Sequence, residues 1–311
     1  MTVPSVWDQR DLLPRRETVC AVYVTYHPDA TFPERMARIA PQVGHIVIVD
    51  NHSGEEDIHM LRALCKAEKA ELIENKENLG IATALNQGIE RVIELGYEWV
   101  ITVDQDTIPE LNLIQSLSKI YSSHPDRERI RMVGSNYRSP VTGQVAVNCS
   151  PATSNFLETS IVITSCCLIL LKAFKEIGPF RDDFFIDQVD HEYCLRLRSH
   201  GYKVIMSCKP LMIHSVGEQT IHKFIRKQIC TNHSPLRRYY ITRNRLILYK
   251  TYICEDPNWV LRSLLTAIRE LIMIILFEDY KFEKLRATVL GIFHALSGKM
   301  GRSQDKKLES H

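Results

Sequence analysis

The 311 residues predict a doubly wound, mostly parallel α/β sheet flanked by helices. Three observations carry that expectation. Stretches 19–25, 45–49 and 99–103 are apolar along their whole length, as strands buried on both faces are. Helical stretches alternate with them in short units, the mark of parallel crossovers. Polar chemistry collects where these strands end, at Thr25, Asp50 and Asp104. In an open α/β sheet the ligand lies beyond the carboxyl ends of the strands.

The elements follow in order. The first strand is broken by Tyr26-His27-Pro28, and a short helix is expected at 34–39. The second strand runs into Asp50-Asn51-His52-Ser53-Gly54, before a helix at 56–69. A short strand at 70–75 and the turn Glu77-Asn78-Leu79-Gly80 lead to a helix at 81–95. Ile81, Leu85, Ile89, Val92 and Ile93 lie on one face of it, and Gly96 is a fitting C-cap. The strand 99–103 then ends in Asp104-Gln105-Asp106. Beyond it, 159–171 is apolar and β-rich, 173–177 is a short helix, and 184–196 reads as a turn entering a helix that ends near Gly201. A strand at 203–207 and the segment Leu211-Met212-Ile213-His214 follow. From 219 to 254 there are eight Lys/Arg and no Asp or Glu. Leu261, Leu264, Leu265, Ile268, Leu271, Ile272 and Ile275 then recur at helical spacing across 258–277.

Composition narrows the function. A net charge of +2 gives no global polyelectrolyte signal. Nine cysteines, an odd number with no Cys-x-x-Cys, argue for a reducing cytosol and against a disulfide framework or a zinc site. No signal peptide and no stretch long enough to span a bilayer are expected. The turn after the first strand carries no glycine, and there is no Walker A or Gly-x-Ser-x-Gly. Nicotinamide oxidoreductases, P-loop kinases and α/β-hydrolases are thereby disfavoured.

The two carboxylates at 104 and 106 can turn toward one divalent cation, and Mg²⁺ is commonly shared between such a pair and substrate phosphates. Alone, Asp-x-Asp is also a common solvated turn. Asp190 opens a helix, where the dipole lowers its pKa; it is either a general base or the more usual first-turn acid. His214 after a strand is either a third metal ligand or a satisfied half-buried histidine.

Taken in order, these pieces resemble the inverting family-2 glycosyltransferases of GT-A fold, and within them the bacterial L-rhamnosyltransferases. The matching pieces are Thr25-Tyr26-His27-Pro28, Val49-Asp50-Asn51, Glu77-Asn78-Leu79-Gly80, Asp104-Gln105-Asp106, Phe185-Ile186-Asp187-Gln188-Val189-Asp190-His191-Glu192-Tyr193 and His214. Asn232-His233-Ser234-Pro235-Leu236-Arg237-Arg238-Tyr239-Tyr240, then Arg243-Asn244, and Gly298-Lys299-Met300-Gly301 complete it. The chain departs at Ser165-Cys166, where relatives carry Ser-Gly. The resemblance implies dTDP-β-L-rhamnose as donor, held by Thr25, Tyr26, Asp50, Asn51, Asn78, Gly80, Asp104 and Gln105. It implies Mg²⁺ or Mn²⁺ on Asp104, Asp106 and His214, and Asp190 as the base that activates an acceptor hydroxyl. Asp187, Glu192, Arg237, Arg238, Tyr240 and Arg243 are candidates for acceptor or diphosphate contacts. The acceptor would be a glycan or glycolipid of O-antigen, lipopolysaccharide or rhamnolipid type.

The expected organisation is a tail at 1–16, a transferase domain at 17–218 and a helical extension at 219–311. The site of action is expected in the cytoplasm, peripheral to the inner face of the bacterial plasma membrane. The stripe on 258–277 either docks on anionic lipid or packs on the core. Competing readings are a family-2 enzyme using UDP-galactofuranose or UDP-N-acetylglucosamine, and a non-enzymatic membrane- or nucleic-acid-binding protein built on 219–254; the enzyme reading expects no nucleic acid partner.

Overall fold

A computed structural model describes residues 12–149, 155–215, 217, 220–223 and 227–308. Most of the expected tail, residues 1–11, lies outside them. Four parallel strands form one half of the main sheet in the order β3-β2-β1-β4: β1 (Val19–Thr25), β2 (His45–Asp50), β3 (Glu71–Glu74) and β4 (Trp99–Asp104). The crossovers carry α1 (Phe32–Ile39), α2 (Glu55–Glu68) and α3 (Ile81–Glu94). Successive β1 side chains face opposite sides of the sheet. Cys20 and Val22 join Val47, Leu85 and Ile89 under α3. Val19, Ala21 and Tyr23 join Phe32, Met36 and Leu61 under α1 and α2. Gly88 lets α3 come close: a Cβ there would sit 2.5 Å from a Val22 methyl.

The second half of the sheet is mixed. After β5 (Ile108–Pro109) and α4 (Leu113–Ser123) come β6 (Ile130–Arg138), β7 (Phe156–Glu158) and β8 (Cys167–Leu170). Helices α5 (Lys172–Ile177) and α6 (Val189–Ser199) precede β9 (Lys203–Ile213). β8 pairs antiparallel with β4 and β6, β6 pairs parallel with β9, and β5 and β7 pair antiparallel with β9. The parallel doubly wound arrangement therefore holds from β3 to β4, and antiparallel strands extend it.

Two expectations are corrected by this half. The apolar stretch 159–171 is a strand only over Cys167–Leu170; the rest is irregular chain lining the sheet end. The two segments expected around 203–214 are one strand, β9, which absorbs Pro210 at a register irregularity against Asn136. The same Asn136 donates from Nδ2 to the carbonyls of Val147 (2.8 Å) and Cys208 (3.0 Å). That clamp brings Cys149 beside Cys208, and the two form a disulfide that the cysteine pattern did not anticipate.

The remaining chain forms a hairpin, β10 (Thr220–Lys223) with β11 (Lys227–Cys230), and three helices: α7 (Pro235–Tyr252), α8 (Pro257–Phe277) and α9 (Lys281–Ser297). Prolines at the first positions of α7 and α8 follow Ser234 and Asp256, whose side chains accept from Arg237 N at 3.3 Å and Trp259 N at 3.0 Å. Tyr239, Tyr240, Ala287 and Leu308 form a small core between α7, α9 and the C-terminal segment.

Candidate active site

The ends of β4 and β9 and the start of α6 meet at one cleft of about 1120 Å³. Asp104 ends β4, Asp106 follows it, and His214 follows β9. Each offers one ligand atom, and the three atoms lie within 4.8 Å of one another. His214 Nε2 is 4.0 Å from Asp104 Oδ2, and Nδ1 is 3.7 Å from Asp106 Oδ1. Two carboxylates and an imidazole suit Mg²⁺ or Mn²⁺ and leave coordination positions for phosphate oxygens.

The surroundings hold these groups in place. His214 Nδ1 is 2.8 Å from Thr107 Oγ1, which is 2.6 Å from Ser165 Oγ, which in turn accepts from the Asp104 backbone N–H at 3.1 Å. With Nδ1–H donating to Thr107, the Nε2 lone pair is left for a ligand. Burial, and then Asp106 and Asp190, push the Asp104 carboxyl up to about 6, against the opposing pull of His214 and Arg237. Three carboxylates so close together make a site that a cation would relieve. Thr107 and Ser165 carried no role in the sequence reading, because nothing local in the sequence couples them. Cys166 adopts φ 49, the left-handed conformation in which glycine would be unstrained.

Asp190 stands in the first turn of α6 and faces the cleft. Burial works to raise its pKa, but the charge and hydrogen bonds of His191 prevail and the carboxyl lies below its ordinary range. Asp190 Oδ1 accepts from His191 N at 2.8 Å and lies 2.9 Å from its Nδ1. The helix-start argument anticipated the direction; the neighbouring imidazole was missed. Asp187 also faces the cleft, and Arg237 clamps it from Nη2 at 2.6 Å and Nε at 3.3 Å.

The loop carrying these acids is strained. Phe185, Asp187 and Gln188 have φ of 65, 65 and 61, and such backbone persists only where its surroundings enforce it. Arg243, fully buried, donates to the carbonyls of Phe184, Asp183 and Gly301 at 3.0, 3.2 and 2.6 Å. Asn244 Nδ2 lies 3.0, 2.9 and 2.9 Å from the carbonyls of Phe184, Ile186 and Asp187. Gly80 (φ 85) packs against the same loop, where a Cβ would lie 2.5 Å from the Phe185 carbonyl, and Ile81 N donates to that carbonyl at 2.8 Å.

Several candidates are placed away from open contact. Arg243 has its guanidinium spent on loop carbonyls and on Asn244 Oδ1. Arg238 is buried against Glu270 (2.7 Å) and Glu278 (3.7 Å). Tyr240 stacks on Phe185 at 5.3 Å, and its hydroxyl accepts from Ser303 N at 2.8 Å. Glu192 is turned inward to Arg196 (3.0 Å) and the Tyr252 hydroxyl (3.3 Å). Burial pushes its pKa up. Within the basic helix α7, Arg237 is paired to Asp187 and Arg245 to Glu270.

The expected donor residues gather at the strand ends but are largely engaged with one another. Thr25 Oγ1 donates to Asp50 Oδ1 at 2.9 Å, and Asp50 also accepts from Ser53 N at 2.8 Å, with both residues fully buried. Asn51 Nδ2 donates to Asn78 Oδ1 at 3.0 Å, and Asn51 Oδ1 accepts from Leu79 N at 2.9 Å. Gln105 holds the Tyr26 backbone from both sides, accepting at 2.8 Å and donating at 3.0 Å. Tyr26 itself is 47% exposed. These contacts fix the loops that frame a ligand rather than leaving free polar atoms.

Comparison with known proteins agrees with this geometry. The model of glycosyl transferase family 2 matches residues 21–178. The dTDP-rhamnosyl transferase RfbF of Shigella flexneri is 27% identical over 91% of this chain and 97% of its own length. TarS 1–349 of S. aureus in complex with UDP-GlcNAc superposes with a TM-score of 0.58 at 14% identity, covering 89% of this chain and 81% of that one. The mannosyltransferase PcManGT of Pyrobaculum calidifontis, in complex with GDP-Man and Mn²⁺, gives 0.56 at 14% identity, covering 91% and 88%. At such identities the likeness shows the fold, that of GT-A transferases.

Proposed function

Because this chain belongs to glycosyl transferase family 2, we propose that it moves L-rhamnose from dTDP-β-L-rhamnose to a hydroxyl of a glycan or glycolipid acceptor by one inverting displacement. The observation that carries the reading is the convergence of Asp104, Asp106, His214 and Asp190 on one cleft. The choice of donor rests on the similarity to the Shigella rhamnosyl transferase.

Asp104, Asp106 and His214 would hold Mg²⁺ or Mn²⁺, which neutralises charge on the departing diphosphate. Asp190 accepts the proton of the attacking hydroxyl. Its low pKa keeps it ionised at neutral pH, and His191 fixes one carboxylate oxygen while the other stays available. Arg237, drawn in by Asp187, adds positive charge near the leaving group. The Thr25–Asp50 and Asn51–Asn78 contacts set the walls of the nucleoside pocket, with Tyr26 at its rim. In this reading residues 17–218 are the transferase unit and 219–311 brace the loop that carries Asp187 and Asp190. It places the enzyme in the cytoplasm.

A donor panel with purified protein tests this. Release of dTDP from dTDP-β-L-rhamnose, dependent on Mg²⁺ or Mn²⁺ and abolished by EDTA, is the expected result. Faster consumption of UDP-galactofuranose or UDP-N-acetylglucosamine would overturn the donor. Full activity after exhaustive dialysis against EDTA would overturn the metal.

A further inference from the structure

The apolar stripe on α8 does not pack on the core. Leu261, Leu265, Ile268, Ile272, Ile275 and Leu276 are 49–59% exposed. The helix buries Trp259, Val260, Met273 and Ile274 on its other side, so it is apolar toward the molecule and toward solvent alike. Helix α9 repeats the pattern, with Phe282, Val289, Phe293 and Leu296 exposed by 85, 65, 64 and 82%. Single exposed apolar residues are ordinary, but stripes along two adjoining helices mark a contact surface.

The charges select the partner. The one acid of α8, Glu270, is turned inward to Arg238 and Arg245. The charges exposed on this helix are Arg262 and Arg269; Asp279 is exposed at the junction, Lys281 is exposed at the start of α9 and Glu283 beside it is half-buried, which leaves the surface net positive. A twofold contact between copies would set this net-positive face against itself. An anionic headgroup layer pairs its cations directly. No helix of the described residues is long and apolar enough to cross a membrane, so the fit is to a surface.

We propose that the outer faces of α8 and α9 are a docking surface for an anionic lipid bilayer. Trp259, Arg262, Ser263, Thr266, Tyr280 and Lys284, from these same helices and their junction, also line the catalytic cleft. Docking therefore brings the cleft wall to the headgroup layer, where the hydroxyl of a lipid-linked acceptor is presented. That use rests on the transferase reading; the docking itself does not.

The test is flotation of the full chain with vesicles of phosphatidylcholine alone or mixed with phosphatidylglycerol, at low and high salt. The expected result is binding to the mixed vesicles at low salt and release at high salt. Leu265→Asp with Ile272→Asp, both at exposed positions, should lower the bound fraction by about tenfold or more, since each buried aliphatic side chain carries at least that factor. Release of dTDP from soluble donor should be unchanged in the same variant, which separates failure of docking from failure of the chemistry. Phe282→Asp with Phe293→Asp repeats the test on α9. Equal binding to neutral vesicles would overturn the anionic partner. A protein that ignores anionic vesicles at low salt would overturn the proposal, and sedimentation as a dimer that the α8 variant dissociates would assign the surface to a second copy.

Discussion

At the scale of single residues, each acid of the site ends or begins an element. Asp104 and Asp106 follow an apolar strand and Asp190 opens a helix, so chain direction alone sends them to one edge of the sheet. What could not be read was the use of the cations. Arg237, Arg238 and Arg243 are one kind of side chain in one helix, yet one faces the cleft, one is buried in an acid pair and one is consumed by carbonyls. Their fates depend on helix phase against elements distant in sequence. Asp190→Asn keeps the shape and removes the base; turnover should fall by about two to four powers of ten while donor binding survives. Single-turnover kinetics beside donor titration checks this, and near-normal turnover would move the base to Asp187. Asp106→Ala should abolish metal-dependent dTDP release with an unchanged circular dichroism spectrum. A variant that keeps its metal response would remove Asp106 from the site.

At the scale of elements, the burial of β1 on both faces and the helical spacing on α3 were plain in the sequence, because each pattern is decided by its own residues. The 159–171 segment was not, since apolar chain reads alike whether it forms a strand or lines one. The loop from Phe184 to Gln188 was equally opaque. Its left-handed residues are not glycines, and its support comes from Gly80, Arg243 and Asn244, some 57–105 positions away along the chain. That support is testable through Asn244. Asn244→Ala strands carbonyls that are paired in the folded state. Each unsatisfied group costs about 1–3 kcal/mol, so a loss of about 3 kcal/mol is expected, or roughly 6–12 °C in Tm. Asn244→Asp replaces the donor by an acceptor facing the same carbonyls and should be at least as harmful. If Asn244→Asp melts like the wild type, the amide does not hold the loop.

At the scale of the whole molecule, acid sensitivity follows from where the C-terminal elements close on the sheet. His233 is 8% exposed at this junction, and burial, followed by the positive charges of Arg237 and Arg238, depresses its pKa to about 3. In the unfolded chain the same imidazole titrates near 6.5. As pH falls below that value, the unfolded chain binds a proton that the folded molecule excludes. The contribution is therefore present above about 6.5 and is lost progressively toward 3, at up to about 1.4 kcal/mol per pH unit. Asp104 acts with the opposite sign. Its folded pKa is raised to about 6, so its contribution is full below 3.8 and is lost as pH rises through 6. The two partly cancel between pH 4 and 6, and the wild-type curve alone cannot separate them. His233→Gln can, because it removes only the first. Its Tm should lie below that of the wild type at pH 7, and the gap should close or reverse by pH 5. Parallel Tm profiles for the two proteins across that range would show that His233 is not held neutral by this junction.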